Sequence, residues 1–179
     1  MLGVAPEPAE LTATVPGDDL VPDPDVVMDR GFPLPVPVAQ AWPWFAQLGR
    51  NRAGWYLPRW VEAVVPPGKR ALRRLDPGLQ NLKPGDVIDD CGGRHATFEI
   101  VTHDAPHTLV HRSTRGNLEL SWAILLRTAD GDTTRVHLRL RVYGVRHRRL
   151  VKYAGGFVDL LTVAGLAAGL RERLPRPPA

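Results

Sequence analysis

The sequence predicts an α+β domain in which a curved antiparallel sheet wraps around one long C-terminal helix. Three observations carry that reading. Between residues 86 and 143 apolar residues recur at every second position, the period of a strand with one buried face, and turn residues divide the run. From about 147 to 173 the period becomes three and four, with Leu150, Tyr153, Phe157, Leu160, Leu161, Ala164 and Ala168 in step, as on a helix. A single long helix can cover only one face of a sheet, so strands and helix segregate.

The elements follow in order. Residues 1–25 are rich in Pro, Asp and Glu and lack aromatic residues, which predicts a flexible acidic tail. Residues 26–36 read as a strand in which Phe32, Leu34 and Val36 alternate with Pro33, Pro35 and Pro37. Proline donates nothing to a ladder, so this strand belongs at a sheet edge. Residues 38–48 and 56–65 form two short helices. Pro43 limits the first, and Pro58 suits the first turn of the second. A basic loop punctuated by Pro and Gly spans 66–85. Strands are expected over 86–90, 96–102, 107–113, 118–127 and 134–143, with a tip at Cys91, Gly92 and Gly93 and a four-residue loop at 103–106. That loop would set Phe98 opposite His111 and Ile100 opposite Leu109. Leu126 and Val136 both point inward, so an odd number of residues, or a bulge, must join their strands. Arg135, His137, Arg139 and Arg141 point outward, to a face expected to be wet. One domain over 26–174 is followed by a disordered Pro-rich end at 175–179.

Composition excludes several classes. One cysteine rules out an internal disulfide framework and a multi-cysteine zinc site. No basic n-region with an apolar h-region opens the chain, so a cytoplasmic protein is expected. The segment 154–170 is short for a membrane span and carries Asp159, which favours a helix buried on most of its surface. A peripheral membrane contact near Arg146, Arg148, Arg149 and Lys152 is the alternative. The net charge of +4 conceals an asymmetry: residues 1–29 hold seven acids and no base, and the rest carries +11. The cations on strand 134–143 have no interleaved aromatics, so no nucleic-acid partner is expected; they could hold the acidic tail instead.

Three short runs carry a family resemblance. Trp42-Pro43-Trp44-Phe45-Ala46-Gln47-Leu48-Gly49, Arg52-Ala53-Gly54-Trp55-Tyr56 and Leu79-Gln80-Asn81-Leu82-Lys83-Pro84-Gly85-Asp86, with Ser121-Trp122 on a strand, resemble the START-like, Bet v 1-like (SRPBCC, helix-grip) superfamily. The likeness covers roughly 26–175. It is greatest to bacterial members labelled polyketide cyclase/dehydrase or lipid-transport-like. It implies a helix-grip fold with two short helices after the first strand and a ligand space between sheet and C-terminal helix. It also sets the second short helix by the cavity mouth. The run departs from the pattern at Pro33 and Pro35 and in its Gly- and Ala-rich C-terminal helix.

Candidate ligand-lining residues are Trp55, Tyr56, Trp60, Phe98, His111, Trp122, Tyr153 and Phe157. Aromatic faces with a few polar tips suit an apolar, ring-bearing molecule, and Arg112 is the candidate polar anchor. Pro106 breaks the helical spacing of His103, His107 and His111, so no metal site is expected, and no cofactor. His111 is the one candidate acid-base group, a weak one. Asp89, Asp90, Cys91 and His95 gather at one turn, but no nucleophile-elbow, zinc-protease, P-loop or dinucleotide motif accompanies them. Three functions remain open: a binder of a hydrophobic or aromatic small molecule, lipid or polyketide-like; a cyclase- or dehydratase-like enzyme using the same pocket; and an interaction module that uses the basic outer face on a membrane or protein.

Overall fold

A computed structural model describes residues 2–90 and 95–175. Six strands are present among them: β1 (Val26–Leu34), β2 (Val87–Asp89), β3 (Thr97–Asp104), β4 (Thr108–Arg115), β5 (Leu118–Ala129) and β6 (Thr133–Tyr143). They form one antiparallel sheet in the order β1-β6-β5-β4-β3-β2. The helices are α1 (Pro8–Thr12), α2 (Val38–Ala46), α3 (Arg59–Glu62) and α4 (Arg148–Arg171). As expected, β1 is an edge strand, which is where Pro33 is tolerated. Two 3-10 turns, Pro67–Lys69 and Pro77–Leu79, punctuate the long loop. Cys91, Gly92 and Gly93 lie outside the described residues.

Leu126 and Val136 pair directly across a three-residue turn, Asp130–Asp132, as their shared inward direction requires. The β3–β4 register differs from the expected one. Asp104 pairs with Thr108, which leaves a three-residue loop, and a bulge between Ile100 and Thr102 restores the inward parity. Ile100 therefore faces His111, and Leu109 faces His103. Short-range turn signals fix neither the loop length nor the bulge.

The main core lies between the concave face and helices α2 and α4, around Phe32, Phe45, Ile100, Leu138, Leu166 and Leu170. The motif runs supply its polar pin. Gln47 is fully buried; its Nε2 donates to Tyr56 Oη (3.0 Å) and to Arg74 O (3.2 Å). Its Oε1 accepts from Asp76 N (3.0 Å) and Gln80 Nε2 (3.1 Å). Tyr56 Oη donates onward to Trp44 O at 2.9 Å. A buried amide with its hydrogen bonds met is worth little net, yet costly to break, so it pins one arrangement of the three loops it joins.

The small residues of α4 shorten its distance to the rest of the chain. A Cβ at Gly169 would sit 2.6 Å from the Tyr56 carbonyl carbon, and one at Gly165 would meet Leu57 at 2.8 Å. The α4 helix is nonetheless not buried on most of its surface, contrary to the sequence expectation. It is long and apolar enough to cross a membrane by length and composition, and only 28% of its most apolar window is buried. Its C-terminal half packs inward through Val163, Leu166, Ala167 and Leu170, while its first half, which includes a π turn at Val151–Gly155, presents side chains to solvent.

The outer face also departs from expectation. Arg135, His137 and Arg139 do point outward, but they are buried rather than wet, with Arg139 only 4% exposed. The N-terminal segment, read from composition as a flexible tail, lies across them. Glu10 on α1 takes two bonds from Arg135, at 2.8 and 2.6 Å. Arg139 reaches Asp18, Asp29 and the carbonyls of Glu10 and Ala13, and Arg141 reaches the carbonyls of Val21 and Pro22. Gly31 makes the room: a Cβ there would stand 2.1 Å from the Arg135 guanidinium. Val15 buries against Val110 and Ala123. The segment is held in two ways: its acids and carbonyls meet cations in register on β6, and Val4, Val15 and Val21 are buried.

Candidate functional site

Four of the aromatic and histidine side chains converge on the concave face. His111 and Trp122 are direct cross-strand partners on β4 and β5, and their rings stack at 4.9 Å and 28°. Phe98, from β3, meets His111 edge-on at 5.5 Å and Trp122 at 6.0 Å. Trp55 closes the group from the loop before α3, stacking on Trp122 at 6.0 Å and 29°. That loop turns at Gly54, where φ is +81° and a Cβ would fall 2.9 Å from Ala71 Cα, so only glycine brings Trp55 in at this angle. The Trp55 indole N–H donates to Thr162 O on α4 at 3.2 Å, which ties the loop to the helix. Both indoles are partly exposed.

His111 is 2% exposed. Burial pushes its pKa down to about 4, despite a hydrogen bond to the Trp122 carbonyl and the charge of Asp90. The ring is therefore neutral near neutrality. Nδ1 lies 3.2 Å from Trp122 O and holds the proton to donate there, which leaves Nε2 as an acceptor. With so low a pKa it makes a weak general base and a good orienting acceptor. At the same end Arg115 lies 5.3 Å from the Phe98 ring centre and pairs with Asp90.

The space enclosed by this group is about 20 Å³, lined by Phe45, Trp55, Ile88, Phe98, His111 and Trp122 among others. That holds about one water, not a ligand, so the ligand-sized space implied by the resemblance is closed in this conformation. A second cleft, of about 530 Å³, lies on the other side of Trp55 and is lined by Arg50, Arg52, Leu57, Lys69 and Arg70. These cations were missed by sequence reasoning. The 66–85 loop reads as basic, but no local pattern reveals that it folds back on Trp55.

The other sequence candidates lie elsewhere. Tyr56 is fully buried in the Gln47 network, beneath the Arg173 guanidinium at 4.9 Å, and burial raises its pKa. Trp60, Tyr153 and Phe157 are 77%, 73% and 59% exposed. Arg112 is on the outer face, paired with Glu99 at 2.7 Å. His103, His107 and His111 go to separate neighbours: the Trp42 ring, the Leu126 carbonyl and the Trp122 carbonyl.

No protein-family model matches the chain, and no curated protein matches it. Solved structures do. A hypothetical protein, jhp0584 of Helicobacter pylori, superposes with a TM-score of 0.56 at 13% identity, over 90% of this chain and 95% of that one. CalU16 from Micromonospora echinospora gives 0.54 at 17%, over 84% and 77%. Protein Ms6760 from Mycobacterium smegmatis gives 0.52 at 16%, over 87% and 94%. The chain has the helix-grip fold. At these identities the likeness concerns the fold alone, and the helix-grip scaffold hosts unrelated functions, so the case for function rests on the site.

Proposed function

We propose that this helix-grip domain binds an apolar, ring-bearing small molecule against the Trp55–Trp122 stack, and that the ligand carries an anionic group. The observation that carries the reading is Trp55 itself. It is a partly exposed indole with stacked aromatics on one side and a cation-lined cleft on the other. A flat ring gains stacking and apolar burial by entering beside Trp122, and a carboxylate or phosphate on it reaches Lys69 or Arg70. His111 Nε2 supplies one buried acceptor for orientation. Because the enclosed space is water-sized, binding requires Trp55 to swing from Trp122, which breaks its one hydrogen bond, to Thr162.

Native mass spectrometry of freshly purified protein tests this. A small-molecule adduct on the wild-type chain that is absent from Trp122→Ala supports the site. An adduct retained by Trp122→Ala places the ligand elsewhere and removes the proposal.

A further inference from the structure

The first half of α4 shows a stripe that packing does not explain. Leu150, Tyr153, Phe157, Val158 and Leu161 are between 48% and 73% exposed. From Tyr153 onward they recur at steps of four, one and three, so they share a face turned away from the buried Val163 and Leu166. A monomeric soluble protein seldom leaves so continuous an apolar stripe in water.

The charges around it identify the occupant. Arg146, Arg148, Arg149 and Lys152 gather at the start of the helix, and all are exposed. The one acid on the helix, Asp159, turns inward to Arg30 at 2.9 Å. Asp25 pairs with Arg148, so the cationic excess of this end lies on Arg146, Arg149 and Lys152. Arg149 and Lys152 in the first turns, with Arg146 just before them, oppose the helix dipole, and no side chain caps this end among the described residues. An anion there relieves both problems. Within one short segment, then, an apolar aromatic stripe adjoins a cationic end that would welcome phosphate.

We infer that the first half of α4 docks on an anionic lipid surface, with Tyr153, Phe157 and Leu161 in the acyl boundary and Arg146, Arg149 and Lys152 at the headgroups. This inference is independent of the ligand reading, because none of these side chains belongs to the Trp55–Trp122 group.

Flotation of the full chain with vesicles tests it, using phosphatidylcholine alone or mixed with phosphatidylglycerol. The protein floats with the mixed vesicles at low salt and stays behind with the neutral ones. Arg149→Gln and Lys152→Gln each weaken flotation about fivefold. Phe157→Ser with Leu161→Ser weakens it by about tenfold or more. All four positions are exposed, and circular dichroism checks that the fold is kept. No flotation of the wild-type chain at low salt overturns the inference, as does equal flotation on both lipids. A concentration-dependent dimer that Phe157→Ser abolishes also overturns it, by assigning the stripe to a second copy.

Discussion

On the outer face of the sheet, Arg135, Arg139 and Arg141 meet acids and carbonyls supplied by the first 25 residues, and little of them reaches water. On the concave face, Trp55 and Trp122 remain partly exposed, and the first half of α4, though tied to β1 through Arg30, leaves Tyr153, Phe157 and Leu161 in water. The face that is polar in sequence is sealed, and the face that is apolar in sequence is left partly open. Closure follows partner supply rather than side-chain polarity. The three β6 arginines and His137 meet acids and carbonyls within the chain, whereas the indoles keep part of their surface, and the α4 stripe most of its surface, uncovered among the described residues. An apolar face left open on an otherwise satisfied molecule is where an external partner gains most.

The strongest way to break this contrast is to unpair the outer face. Burial alone would raise the Glu10 carboxyl, but hydrogen bonds from Arg135 and the Glu7 backbone hold it below its usual range. Glu10→Ala leaves Arg135 buried without its bidentate acceptor and is expected to cost about 3–5 kcal/mol in urea unfolding. Glu7→Ala, at an exposed partner of Arg127, is expected to cost about 0–1 kcal/mol. Similar costs for both would mean that the segment is not docked in solution.

Acid sharpens the comparison from the other side. His111 has a folded pKa near 4 and an unfolded one near 6.5, so between those values the unfolded chain binds the extra proton. Stability attributable to His111 is full above about pH 6.5 and is lost as pH falls toward 4, by on the order of 3 kcal/mol. His111→Gln should flatten that part of the stability profile. Glu10 and Asp29 have lowered folded pKa values, so their contribution fails only as pH drops below the ordinary carboxylate range. The concave site therefore weakens first on acidification and the outer face second. A profile unchanged by His111→Gln contradicts the buried, neutral ring.

Smaller effects come from α4. Gly169→Ala drives a Cβ into the Tyr56–Leu57 backbone and is expected to cost about 1–3 kcal/mol, read by thermal unfolding. Gly156→Ala meets open space and is expected to gain about 0.5–1 kcal/mol from helix propensity. The opposite signs distinguish the packed end of the helix from its free end.

Strand periodicity carried most of the fold. The alternation of β6 correctly set the direction of Val136, Leu138 and Arg139, because parity is local. It did not reveal that Arg139 is buried, because the covering segment is more than a hundred residues away. The β3–β4 register was missed because the bulge after Ile100 leaves no mark in residue type. Of the site, Phe98, His111 and Trp122 were legible from parity, and Trp55 from the resemblance. Arg50, Arg52, Lys69 and Arg70 were not, since loops bring them together. The motif residues Gln47, Tyr56 and Gln80 prove to pin loops, so the runs most visible in the sequence report on architecture.

The most direct test is a fluorescence titration with anilinonaphthalene sulfonate, an apolar ring system bearing one anionic group. Saturable one-site binding is predicted for the wild-type chain, abolished in Trp122→Ala, weakened in Lys69→Ala, and unchanged in Phe157→Ser. Binding that survives Trp122→Ala, or that disappears with Phe157→Ser, contradicts the assignment of the concave aromatic site.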